Sequence, residues 1–180
     1  LSLPTTLSKF ASESLGRDQT KEAAAIKKTA TRAVLILSIA GFLIIALSSE
    51  TISQYFWGTS TYVPLIILMA TYALLSNLTT LYNSSLQALR LFSKMATVTF
   101  IYIVSSRAIA IILALLHLRV LGVLIGYIAG SIIAVTTAIA FIRGKLPNPP
   151  KSVPIKPLLQ FSLPLFKAQL HYSCLLYTSD

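Results

Sequence analysis

Four apolar runs, Ala33–Ser49, Val63–Leu86, Met95–Leu118 and Val120–Ile142, dominate this chain, and Arg107 is the one formal charge inside any of them. A helix rises about 1.5 Å per residue, so about 20 residues cross a hydrocarbon core about 30 Å thick, with roughly 17–25 tolerated. All four runs fall in that window. Each therefore predicts a transmembrane helix. The alternative, four buried helices of a soluble domain, is disfavoured because such helices usually show one polar face. Only 11% of the residues are charged and 55% are hydrophobic, far from the balance of a soluble domain.

Charge placement constrains the chain next. Acidic residues are Glu13, Asp18, Glu22 and Glu50, and then none until Asp180. Lys9, Arg17, Lys21, Lys27, Lys28 and Arg32 precede the first run, and the connection Glu50–Tyr62 has no Lys or Arg. Arg90 and Lys94 separate the second and third runs, Arg119 alone follows His117, and Arg143, Lys145, Lys151 and Lys156 follow the fourth. This alternation matches the positive-inside rule and predicts a multi-pass protein of the cytoplasmic membrane. The first segment, the Arg90 connection and the Arg143–Lys156 stretch then face the cytoplasm. The net charge of +10 does not indicate nucleic acid, because these cations cap apolar runs rather than cover a soluble surface.

Residues 1–32 predict the end of one helix, a turn at Gly16 and a second helix from about Thr20. Gly16 suits a left-handed C-cap. Lys21, Lys28 and Arg32 recur on one side of "TKEAAAIKKTATR", a face that suits anionic headgroups or plain solvent. Tyr55, Phe56, Trp57 and Tyr62 predict an interfacial aromatic belt in the connection after the first run.

The second run is the most polar. Ser76, Thr80, Asn83 and Gln87 share one helical face, flanked by Asn77 and Ser84. Such a stripe turns either toward a neighbouring helix, as interhelical glue, or toward a water-filled cavity. Arg107 lies thirteen residues beyond Lys94, roughly 20 Å along a helix, too deep to snorkel easily. Mid-membrane Arg costs on the order of 2.5–3.5 kcal/mol on insertion scales. No acidic residue in the other runs can pair with it. Tyr102, Ser105 and Ser106 are candidate partners, and the open alternatives are structural hydrogen bonding and contact with an anionic substrate. In the fourth run Gly122, Gly126 and Gly130 recur every four residues, a pattern for close helix packing.

"RGKLPNPPKSVPIKP" is rich in proline and predicts an extended cytoplasmic linker over residues 143–160. "LLQFSLPLFKAQL" begins a further apolar segment within residues 161–180. The closing "SCLLYTSD" resembles translated adapter sequence and is assigned no function. Cys174 has no disulfide partner, His117 is interfacial and His171 falls in that tail. No nucleophile–His–acid set, Cys/His metal spacing, P-loop or dinucleotide glycine pattern occurs. The chain has no candidate catalytic residue, metal ligand or cofactor site, which points away from an enzyme and toward movement of a substrate.

Three stretches carry a resemblance to a known family. "LPTTLSKFASESLGRDQTKEA", with Leu7–Phe10, Glu13 and Gly16-Arg17-Asp18, resembles the cytoplasmic segment after the second helix of polysaccharide-biosynthesis flippases. Their superfamily also holds the MATE-type multidrug exporters and the peptidoglycan lipid flippase. "LGVLIGYIAGSI" is similar to their sixth helix, and "KPLLQFSLPLF" to the start of their seventh. The resemblance spans residues 1 to about 170. It implies an all-α integral membrane protein, here a fragment of a two-lobe transporter of about fourteen helices working by alternating access. Four complete transmembrane helices (33–49, 63–86, 95–118, 120–142) would belong to its first lobe, with the start of a fifth after the linker. The implied partners are membrane lipid and a lipid-linked oligosaccharide. Arg107 would meet the diphosphate, since guanidinium binds phosphate through paired hydrogen bonds, and Ser76, Thr80, Asn83 and Gln87 the sugar hydroxyls. Two rivals stand beside it: a MATE-like cation-coupled antiporter, which would favour buried carboxylates, and a non-transport scaffold or the membrane part of an enzyme.

Overall fold

In a hydrocarbon surround every backbone N–H and C=O needs an internal partner, so an apolar run of this length must be helical. The computed structural model of the chain describes residues 3–17, 19–143 and 164, and the elements among these residues are all helical. They are α1 (Leu3–Gly16), α2 (Thr20–Trp57), a 3-10 turn (Ser60–Tyr62), α3 (Val63–Ala88), α4 (Phe92–Leu113) and α5 (Arg119–Ile142), with a π-wound reversal at Ala114–Leu118. Apart from Arg143 and Pro164, the linker expected over 143–160 and the segment 161–180, with Cys174 and His171, lie outside the described residues.

Three helical stretches are long and apolar enough to cross a membrane: Ala23–Trp57, Ser60–Ala88 and Phe92–Ile142. The third has a reversal inside it, where Leu116, His117 (φ 65°) and Arg119 (φ 45°) leave helical geometry. Beyond that bend α5 returns antiparallel along α4, so that Gly122, Gly126 and Gly130 face Leu113, Ala110 and Ser106 in turn. The apolar surface is inverted relative to a soluble protein. Leu47 is 84% exposed and Leu115 75%, while the residues buried between helices are mostly small. Lipid tails are as apolar as Leu, so exposing such side chains to them carries no hydrophobic cost.

Two clusters hold the layer together. Ala11 of α1 packs with Ile26, Ala30, Ala33 and Val34 of α2 and Leu81 and Ala88 of α3. Leu86 of α3 packs with Val98 of α4 and Ala134, Ala138 and Ile142 of α5. The alternating chain direction gathers most of the described cations at one end, Arg107 and Arg119 excepted. There Lys27 lies over the Tyr82 ring (5.8 Å) and Lys94 over the Phe141 ring (5.3 Å). Lys21, Lys28 and Arg32 are exposed on α2.

Two local expectations are corrected. The connection expected over Glu50–Tyr62 is mostly helix, because the polar residues after Ser49 are helix-compatible and nothing breaks the chain before Gly58. Gly58 (φ 65°) caps α2 by donating its N–H to the Gln54 carbonyl, and the Ser53 hydroxyl donates to the Thr59 carbonyl at 2.5 Å. Gly16, by contrast, does not take the left-handed conformation. The turn after α1 is closed instead by the Gln19 N–H donating to the Ser14 carbonyl at 2.9 Å, and Arg17 pairs with Glu13 at 2.8 Å.

Arg90 does occupy a left-handed position (φ 56°), between α3 and α4. Its N–H donates to the Gln87 carbonyl (2.9 Å) and that of Leu91 to the Leu86 carbonyl (3.0 Å), the doubled bond pattern that normally selects Gly. A side chain there costs about 1–2 kcal/mol, partly returned by the smaller backbone freedom of the unfolded chain. Arg90→Gly should therefore raise stability by about 0.5–1 kcal/mol, read as a higher thermal midpoint in detergent.

Candidate functional site

The site grows from the hairpin register. Gly126 lets α5 approach until a Cβ placed there would stand 2.6 Å from the Ala110 nitrogen, and one at Gly130 would stand 2.5 Å from the Ser106 Cβ. Helices this close set their residues level with one another. Arg107 and Tyr127, equidistant in sequence from His117, meet at one depth. The Arg107 Nη1 donates a hydrogen bond to the Tyr127 hydroxyl, and its guanidinium carbon lies 5.0 Å from that ring's centroid.

Tyr127 continues the network onto α3. Its ring lies 5.4 Å from that of Tyr72 at 45°, and the Tyr72 and Tyr102 hydroxyls are 3.1 Å apart. Arg107 and these three tyrosines, from α3, α4 and α5, line an open cleft of about 470 Å³. Met69, Ile103 and Leu124 supply its apolar walls, and Ser106 completes it. No lining residue is acidic. The cleft offers one permanent cation that is exposed rather than buried, beside phenols that can each donate and accept. It suits an anion joined to a polar, ring-bearing group. Among the described residues no group of three His, Cys, Asp or Glu could hold a metal ion.

The sequence candidates separate in space. Tyr102 and Ser106 share the cleft with Arg107, but the hydroxyls of Ser105 and Ser106 donate to backbone carbonyls of their own helix. Ser76, Thr80, Asn83 and Gln87 are not among the residues lining the cleft. The Thr80 hydroxyl donates to the Ser76 carbonyl at 2.9 Å, and the Gln87 Oε1 accepts from Ser8 of α1 at 3.4 Å. Asn83 keeps a buried side-chain oxygen with no partner among the described residues. The flanking Asn77 donates to the Ser38 hydroxyl of α2 at 3.2 Å. Most of these contacts tie helices or bend back on their own. Sequence reasoning missed Tyr127 and Tyr72. For Tyr127 the available signal was its place ten residues beyond His117, level with Arg107 once the two runs fold there, whereas Tyr72 lies on α3 and nothing in its run set it apart.

Comparison with known proteins supplies the remaining finding. No curated protein and no solved structure matches the chain. A family model described as "Polysaccharide biosynthesis protein" matches residues 12–177, nearly the whole length, from within α1 through all the helices that build the cleft. With its long apolar helices and its cationic cleft, this multi-pass membrane protein belongs to the polysaccharide biosynthesis protein family.

Proposed function

We propose that the protein is a flippase, not an enzyme, and moves a lipid-linked oligosaccharide across the cytoplasmic membrane by alternating access. In this reading α2, α3, α4 and α5 each cross the bilayer, with the Lys- and Arg-rich end in the cytoplasm. The four helices form part of one lobe of a MATE-like transporter, and the wall carrying Arg107 faces the translocation path.

One observation carries the reading. Arg107 sits deep within an apolar run and opens onto a cleft, held by a phenol and a ring face rather than by a carboxylate. A neutral partner leaves the full positive charge available to an anion, whereas a carboxylate would already have neutralised it. A diphosphate linker entering the membrane needs such a counter-charge, because an unpaired anion in hydrocarbon is prohibitively costly. The polyprenyl tail can stay in lipid while the head group passes the cleft.

Reconstitution tests this directly. The intact protein in proteoliposomes should equilibrate a fluorescent lipid-linked oligosaccharide between leaflets faster than protein-free vesicles do. Exchange of an organic cation against a proton or sodium gradient, with no movement of the lipid-linked glycan, would instead identify an antiporter and end this proposal.

A further inference from the structure

We infer that Tyr72, Tyr102 and Tyr127 form a saccharide subsite that holds the first sugar of the cargo while Arg107 holds its diphosphate. The inference rests on the reading of the cleft as a lipid-linked glycan site, and it assigns a separate task to residues that the charge argument does not need. An anion requires only Arg107. Three phenols converging from three helices require another explanation.

Their geometry supplies one. The rings of Tyr72 and Tyr127, 5.4 Å apart and inclined at 45°, form an angled wall rather than a closed stack. A pyranose presents an apolar C–H face and a rim of hydroxyls. Its face suits an aromatic wall, and its rim suits groups that both donate and accept. Tyr72 and Tyr102 share one hydrogen bond at 3.1 Å and the Ser131 hydroxyl also reaches that of Tyr102, yet the phenols together keep further capacity to donate or accept. At this depth spare hydroxyl capacity is costly unless a polar ligand or water meets it. An isoprenyl chain would gain nothing from those hydroxyls. Ile103, Met69 and Leu124 would serve it as well without them.

Adjacency sets the order of the two subsites. The guanidinium carbon of Arg107 lies 5.0 Å from the Tyr127 centroid, so the two groups are immediate neighbours. The sugar joined directly to the diphosphate is therefore the one placed on the tyrosines. Tyr127 touches both halves. The Tyr127 hydroxyl accepts from Arg107, so a phosphate oxygen that takes over that guanidinium N–H releases the phenol toward the sugar.

The test uses the intact protein in nanodiscs and two probes, a short-chain prenyl diphosphate carrying one hexose and the same prenyl diphosphate without sugar. Tyr72→Leu should weaken the sugar-bearing probe about tenfold and leave the bare diphosphate within about twofold. Tyr102→Phe, which keeps the ring and loses the hydroxyl, should weaken the sugar-bearing probe about threefold. Tyr72→Phe, with the ring retained, separates lost stacking from misfolding and should stay within about threefold of the parent. Arg107→Gln should weaken both probes by the same factor. Equal weakening of both probes by Tyr72→Leu, or of neither, overturns the saccharide subsite even if Arg107→Gln behaves as expected. If Arg107→Gln changes neither probe, or the parent protein binds neither, the diphosphate reading beneath it falls as well.

Discussion

On the proposed flippase reading, Arg107→Gln should slow translocation of lipid-linked glycan by about 10- to 100-fold while making the protein slightly more stable. The two effects have opposite signs because they come from different environments of one side chain. A charge-assisted hydrogen bond to phosphate is worth about 1.5–3 kcal/mol, and Gln cannot supply the charge. On the same reading a guanidinium at mid-membrane costs about 2.5–3.5 kcal/mol, and the Tyr127 hydrogen bond and ring contact return only about 1–2 kcal/mol. Removing the charge should thus stabilise by about 1 kcal/mol. Translocation per folded molecule in proteoliposomes and the unfolding midpoint in detergent together decide the matter. Lower stability with unchanged translocation would make Arg107 a structural tie between α4 and α5, the other role open to an arginine at this depth.

The second large effect concerns the hairpin itself. Gly126→Leu should disrupt the α4–α5 pair by more than about 3 kcal/mol, and Gly126→Ala should cost about 1–3 kcal/mol. The Cβ added at 126 would meet Ala110 at N (2.6 Å) and Cα (2.7 Å), backbone atoms that cannot rotate aside. The helices would have to separate, and the contact that levels Tyr127 with Arg107 would be lost. Gly41 provides the control, since nothing stands within 4 Å of the position a methyl group would take there. Gly41→Ala should be neutral or stabilising by about 0.5–1 kcal/mol through helix propensity. Unfolding midpoints of the three variants, read beside their yield in membranes, check the pattern. Equal tolerance of Leu at 126 and of Ala at 41 would refute the close approach.

The helical character of the membrane runs was legible because hydrophobic length is a local property. The start of α2 at Thr20 was legible for a similar reason, through the helix-forming Ala-rich stretch that follows it. Where helices end was harder to see. After Glu50 the rise in polarity reads as a loop, yet polarity at the headgroup zone does not unwind a helix. Gly58 does, by adopting φ 65°. At Arg90 the left-handed position is held by a residue that ordinarily avoids it, so no residue-type signal marked the turn.

The candidate site divides in the same way. Arg107 was conspicuous because one charge inside an apolar run is expensive wherever the run lies. The polar stripe on α3 was equally conspicuous, but its neighbours were not. Gln87 meets Ser8 of α1 rather than the cleft, and Tyr127, inconspicuous among Ile and Gly, meets the arginine.

Sequence alone determined that this chain is built of helices long and apolar enough to cross lipid, which end of the layer carries the cations, and where one costly charge falls along a run. Tertiary structure decided which faces meet: the glycine line of α5 against α4, and the three tyrosines around Arg107. The division follows from the solvent. Lipid is as apolar as the side chains it surrounds, so hydrophobicity cannot say which face turns inward. Shape and hydrogen-bond satisfaction choose the partner instead, and both exist only between helices already placed side by side.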